Sequence, residues 1–146
     1  MSVEEVAREF VSKMTDEAAV RDVLAPDATV SGGILPAAMP AMEAFRMIGG
    51  LQSGFPDIRF EPQNVSVNGD QATVDVKITG TNTGAVTLPV PGMAGSIPPT
   101  GRKVSVMDRF VITVRGDKIA QMYVDSPAGG GIPGVLEQLG VNRPGM

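Results

Sequence analysis

Twice in its second half the chain sets apolar residues at every second position: Ala72, Val74, Val76 and Ile78, and later Val104, Val106, Phe110, Ile112 and Val114. A period of two belongs to a strand with one dry face and one wet face. Between the rows Thr73, Asp75, Lys77 and Thr79 supply the wet side. Ile58 and Phe60, then Val65 and Val67, lead into an Asn68-Gly69 turn, and Gly116-Asp117 makes a second tight turn before Ile119 to Asp125 runs back. These turn dipeptides mark hairpins, so the second half is predicted to be an antiparallel sheet. Leu88 to Gly101 holds four prolines and reads as a long loop over that sheet.

The first half follows a different period. Val3, Val6, Ala7, Phe10, Val11 and Met14 make one helical stripe, opened by a capping box of Ser2 and Glu5. A second helix is expected to start after Thr15 or Asp16, carry Val20, Val23 and Leu24 inward, and stop before Pro26. A short strand from Ala28 to Ile34 follows. Pro40 suits a first helical position, and Met42, Phe45, Ile48 and Leu51 form the stripe of a third helix that weakens at Gly49-Gly50. After the sheet, a glycine-rich link from Pro127 to Gly134 leads to an apolar tail around Val135, Leu136 and Leu139. Residues 1–146 contain no internal repeat and are read as one α+β domain, three N-terminal helices followed by an antiparallel sheet.

Composition narrows the chemistry. The chain has no Cys and no His, which excludes disulfides, structural zinc, thiol nucleophiles and imidazole bases. A net charge of -4 argues against nucleic acid or an acidic membrane as partner. No apolar run approaches the roughly 20 residues of a membrane span, and Met1 to Glu5 lacks the layout of a secretion signal, so a cytoplasmic protein is expected. With nine Met, eighteen Gly and few aromatics, the interior suits a pocket for a small hydrophobic molecule, or simply a core filled by adaptable side chains.

Asp108 interrupts the apolar row of its strand and so faces the dry side, where a carboxylate needs a reason. If Gly116-Asp117 is a two-residue loop, counting outward pairs Ile112 with Gln121, Phe110 with Tyr123 and Asp108 with Asp125. Residues so paired have Cβ atoms about 4.5–5.5 Å apart, and two acids at that distance in a cavity would share a proton. Such a pair can take a proton from carbon and return one to oxygen, with the phenol of Tyr123 supporting the enolate. Asn82 extends the inward row and would position a substrate carbonyl. Met42, Phe45, Phe55, Phe110 and Met122 would line the pocket. The same residues also fit plain structural roles: an Asp108 paired with arginine, an Asp125 capping a turn, an Asn82 ending a strand.

Several strings are similar to those of SnoaL-like polyketide cyclases, a branch of the nuclear-transport-factor-2-like superfamily. Glu43-Ala44-Phe45-Arg46 leading to Gly54-Phe55-Pro56-Asp57-Ile58-Arg59-Phe60 is one, and Gly80-Thr81-Asn82-Thr83-Gly84 followed by Ile97-Pro98-Pro99-Thr100-Gly101-Arg102 is another. Asp117-Lys118-Ile119 and Gln138-Leu139-Gly140 resemble the family's end. The resemblance implies a strongly bent antiparallel sheet wrapped as a cone around the three N-terminal helices, and ring closure with no metal or organic cofactor by an aspartate at a strand end, for which Asp125 is the matching position. Asn82 stands where many of those relatives have His. A likeness to ketosteroid isomerase extends only to its buried second acid, echoed by Asp108.

The expected function is therefore acid-base cyclisation or isomerisation of a polyketide-like carbonyl compound. A non-catalytic protein that binds a hydrophobic ligand or a partner in the same cone is the alternative. Met107 and Val111 on the outer row suggest a homodimer through that face.

Overall fold

A computed structural model describes residues 2–32, 37–86, 98–127 and 129–139, with the side chains of residues 17, 46–51, 132, 133 and 136 outside that description. The capping box forms as the sequence predicts: Glu5 N–H donates to Ser2 Oγ at 3.1 Å and Ser2 N–H to Glu5 Oε1 at 3.4 Å. It starts α1 (Val3–Ser12), which buries Val6, Ala7, Phe10 and Val11. Each large apolar side chain so buried contributes about 1.5–3 kcal/mol. Asp16 caps α2 (Glu17–Val23) by accepting from Ala19 N–H at 3.2 Å.

No loop separates α2 from β1 (Leu24–Gly32). That strand begins four residues earlier than Ala28 because it tolerates Pro26 within an irregular stretch between Leu24 and Thr29. Ile34, its expected end, lies outside the described residues. Pro40 closes the short β2 (Met39–Pro40) in place of opening a helix, and α3 (Ala41–Gly54) continues through Gly49-Gly50 to Gly54. Its described buried residues include Ala41 and Ala44, with Met42 and Phe45 half-buried and packed on the core.

The sheet contains β3 (Arg59–Asn68), β4 (Gln71–Thr81), β5 (Lys103–Arg115) and β6 (Lys118–Val124), in the order β2-β1-β6-β5-β4-β3. It is curved and unclosed. Among the described residues its strand pairings are antiparallel except β1 with β6, which is parallel, so the sheet is mixed where the sequence predicts a purely antiparallel one. The β-hairpin turns fall at Gly69 and Gly116, whose φ values of 65° and 64° suit glycine. Ala72, Val74, Val76, Ile78 and Gly80 face inward along β4, and α1 lies across β3, β4, β5 and β6 on that side.

The glycine-rich link holds a helix, α4 (Gly131–Gln138), where the sequence predicts only a link and a tail. Pro133 sits in the first turn, where its missing N–H costs nothing. Most of the proline-rich Leu88 to Gly101 segment lies outside the described residues, as does the side chain of Leu136.

Candidate active site

β5 carries its inner row as predicted: Val104, Val106, Asp108, Phe110, Ile112 and Val114 are all buried, and Asp108 is 5% exposed. The strand opposite is displaced from the expected register. Val114 pairs with Ile119 but Thr113 pairs with Gln121, leaving Ala120 as an extra residue in β6. One unpaired residue exchanges the faces of everything beyond it. Met122 therefore turns inward opposite Ile112 and is 1% exposed, while Tyr123 turns outward opposite Val111 and is 48% exposed. Phe110 pairs with Val124, not with Tyr123.

Asp125 goes the same way. Its N–H donates to Arg109 O at 2.8 Å and its side chain is exposed, so it does not stand opposite Asp108. The position facing Asp108 is taken by Ser126, whose Oγ donates to Asp108 Oδ1 at 2.8 Å. Arg109 N–H donates to the same oxygen at 2.8 Å. Among the described residues, both hydrogen bonds to this carboxyl go to Oδ1. Oδ2 faces the backbone of Gly131 at the start of α4, where an added Cβ would come within 3.2 Å of it.

Burial pushes the Asp108 carboxyl above the ordinary carboxylate value. The Ser126 hydroxyl and the Arg109 N–H oppose that shift, and the negative charge of Asp125 adds to it. The two acids thus interact through the field alone.

Asn82 is 0% exposed and fully engaged. Its Nδ2 donates to Gly54 O at 3.1 Å and Gly84 O at 2.8 Å, and its Oδ1 accepts from Thr100 N–H at 2.8 Å and Thr100 Oγ1 at 2.7 Å. An amide has two donors and two acceptor sites, so nothing remains for a substrate. Asn82 ties the end of β4 to the end of α3 and to Thr100. Phe55, Phe110 and Met122 are core residues at 1%, 3% and 1% exposure, and Phe45 packs edge-on against Phe10 with ring centroids 5.9 Å apart. A cavity of about 830 Å³ is bordered by Asp57, Ile58, Arg59, Gly80, Val104 and Gln138, and Asp108 does not line it. No three of the described His, Cys, Asp or Glu residues are grouped to hold a metal, and no described helix is long and apolar enough to cross a membrane.

Residues 3–122 match the SnoaL-like domain family. The chain belongs to that family. Among curated proteins none matches the sequence. Among solved structures, the SnoaL-like chain is similar to AclR from Streptomyces galilaeus, assigned as a hydroxylase: TM-score 0.74 at 16% identity, over 94% of this chain and 95% of that one. It is similar to a protein from Jannaschia sp. CCS1 assigned as a SnoaL-like polyketide cyclase: TM-score 0.73 at 20% identity, over 97% and 93% of the two chains. A third, from Catenulispora acidiphila DSM 44928, has a ketosteroid isomerase-like fold and was solved with trimethylamine: TM-score 0.69 at 17% identity, over 97% and 96%. At these identities the likeness establishes the cone-shaped fold of nuclear-transport-factor-2-like proteins and leaves the chemistry to the residues.

The sequence does not single out Ser126 or Gly131, and it marks Gln138 only as part of the Gln138-Leu139-Gly140 string. A signal for the first existed: Ile119 and Met122 are both apolar and three apart, which a regular strand cannot bury together. An insertion between them brings Ser126 into the inward row.

Proposed function

We propose that this SnoaL-like protein is a cofactor-free, cyclase-type enzyme in which Asp108 is the single proton carrier, acting on an apolar carbonyl compound held inside the cone. The observation that carries this reading is a buried carboxyl in an otherwise apolar row, its described hydrogen bonds both on Oδ1. As a carboxylate, Asp108 Oδ2 takes a proton from the carbon beside a carbonyl, and the C–H electron pair becomes the enolate. In ring closure the enolate carbon then bonds to a second carbonyl, whose oxygen recovers the proton from Asp108; in isomerisation the proton returns to another carbon. A carboxyl above its ordinary value is a stronger base once ionised, which favours the first step.

Met42, Phe45, Phe55, Phe110 and Met122 serve as apolar walls in this reading, and Asn82 as a scaffold. Asp125 and Tyr123 drop out of the chemistry because their side chains are exposed on the other side of the sheet. The outer row of Met107 at 40% exposure, half-buried Val111 and Tyr123 at 48% supports a homodimer through that face, which light scattering would test.

The direct test is exchange of the α-proton of an aryl β-keto ester into deuterated water, followed by NMR. Asp108→Asn should lower the rate by about 10²-fold or more. A folded variant that exchanges as fast as the parent would remove Asp108 from the mechanism. A ligand-binding protein is the second reading, favoured by the wedging of Asp108 beneath α4; it requires no exchange in either protein.

A further inference from the structure

β5 runs further than its neighbour on one side. β4 pairs with it down to Lys103, whereas the β6 pairing stops at Phe110. The β6-side backbone groups of the stretch before Phe110 must find other partners. α4 provides them. The Gln138 amide imitates a strand, its Oε1 accepting from Ser105 N–H at 2.9 Å and its Nε2 donating to Ser105 O at 2.9 Å. Arg102 Nη1 donates to Gln138 O at 3.2 Å.

The other end of α4 sits on Asp108. Gly130 lies so close to β5 that a Cβ there would come within 2.1 Å of Met107 O, and one on Gly131 within 2.4 Å of Ser126 Oγ. α4 is thus fastened at both ends to one short piece of β5, and its first turn is the roof over the carboxyl.

We propose that Ser126 and Gln138 are positioning residues for Asp108: Ser126 holds Oδ1 so that Oδ2 is presented, and Gln138, at the far end of α4, keeps the roof down and restricts the access of water. The claim deepens the proposed function, since it assigns to that same site the parts that set its proton affinity. Ser126 bonds to the charged form, so its loss should make Asp108 harder to ionise; a lifted roof restores hydration and should make it easier. The surrounding charges do not blur this. Asp125 is the acid that acts on Asp108, the guanidinium of Arg109 is held on the outer face by Asp75 at 3.1 Å, the β4 residue opposite is Val76, Lys77 is exposed on the outer face, and Glu137 on α4 is exposed.

The test is a carbon-13 NMR titration of the Asp108 carboxyl. Ser126→Ala should raise its midpoint and Ser126→Thr should restore it. Gln138→Ala should lower the midpoint, and Arg102→Gln, a milder loosening of the same anchor, should lower it less. A purely structural role for either residue would change stability and leave the midpoint alone. An unmoved midpoint in Ser126→Ala and Gln138→Ala, or shifts of the opposite sign, overturns the proposal. The pH profile of α-proton exchange should follow each midpoint; a profile that stays while the midpoint moves would overturn the proton-carrier role of Asp108 and leave the positioning intact.

Discussion

Ser126 Oγ meets Asp108 Oδ1 at 2.8 Å across the open end of the β5–β6 hairpin, and the unpaired Ala120 decides that a serine, not Asp125, stands there. Without that insertion two carboxyls would share the site. With it, one carboxyl is held by a neutral hydroxyl, and its partner acid is on the other side of the sheet. The consequence is a site with a single proton carrier whose charge is tuned by burial more than by a second acid.

Variants of the displaced residues follow from this register. Tyr123→Phe should leave α-proton exchange within about twofold of the parent, since an exposed phenol contributes little. Asp125→Asn should also keep its rate while moving the pH profile toward acid, because a charge that raises Asp108 has been removed. A large loss of rate in either would return these residues to the mechanism.

The pH dependence of stability isolates Asp108 further. Its carboxyl binds a proton more tightly folded than unfolded, so its favourable contribution is complete below the unfolded value of about 3.8 and is lost as pH rises through the folded one. Asp108→Asn keeps an acceptor for Ser126 and Arg109 and cannot ionise. The melting temperature of the variant minus that of the parent should therefore grow from acid to neutral pH in thermal scans. Asp57, held below the ordinary value by Thr81 N–H at 2.7 Å, acts with the opposite sign in both proteins and cancels in the difference.

The inner row of β5 was legible because one residue type breaks a strict alternation, and burial of Asp108 followed from parity alone. The partner strand was not. Its face depends on a bulge, and a bulge leaves no fixed residue signature when the inserted residue is as neutral as alanine. Asn82 illustrates a different limit. Its inward direction was read correctly, but its bonds to Gly54, Gly84 and Thr100 join three separate segments, and no local pattern announces such a junction. α4 was hidden by its own composition, since glycine and proline ordinarily argue against a helix. There the glycines answer to close approach: a Cβ on Gly134 would lie 2.2 Å from Gly129 O.

Asn82 should behave as a structural clamp. Asn82→Ala leaves the carbonyls of Gly54 and Gly84 and the Thr100 donors without their partner, at a cost of about 2–4 kcal/mol in urea unfolding. Asn82→Asp should cost at least as much, because it turns a second acceptor toward two carbonyl oxygens. If Asn82→Ala retained full stability but lost ligand affinity, the side chain would be a binding group after all.

Gly131 concentrates the remaining constraints in one atom. Its φ of 61° lies where side chains are strained, at about 1–2 kcal/mol for alanine. The new methyl would also fall 2.4 Å from Ser126 Oγ and 3.2 Å from Asp108 Oδ2. Ser126 is the group that must move, since Asp108 is fixed by its strand. Gly131→Ala should thus lower stability by about 1–3 kcal/mol and, by detaching the hydroxyl, raise the Asp108 midpoint as Ser126→Ala does. Combining the two substitutions should raise the midpoint no further than either alone, whereas additive shifts would mean that Gly131 reaches the carboxyl by a route other than Ser126.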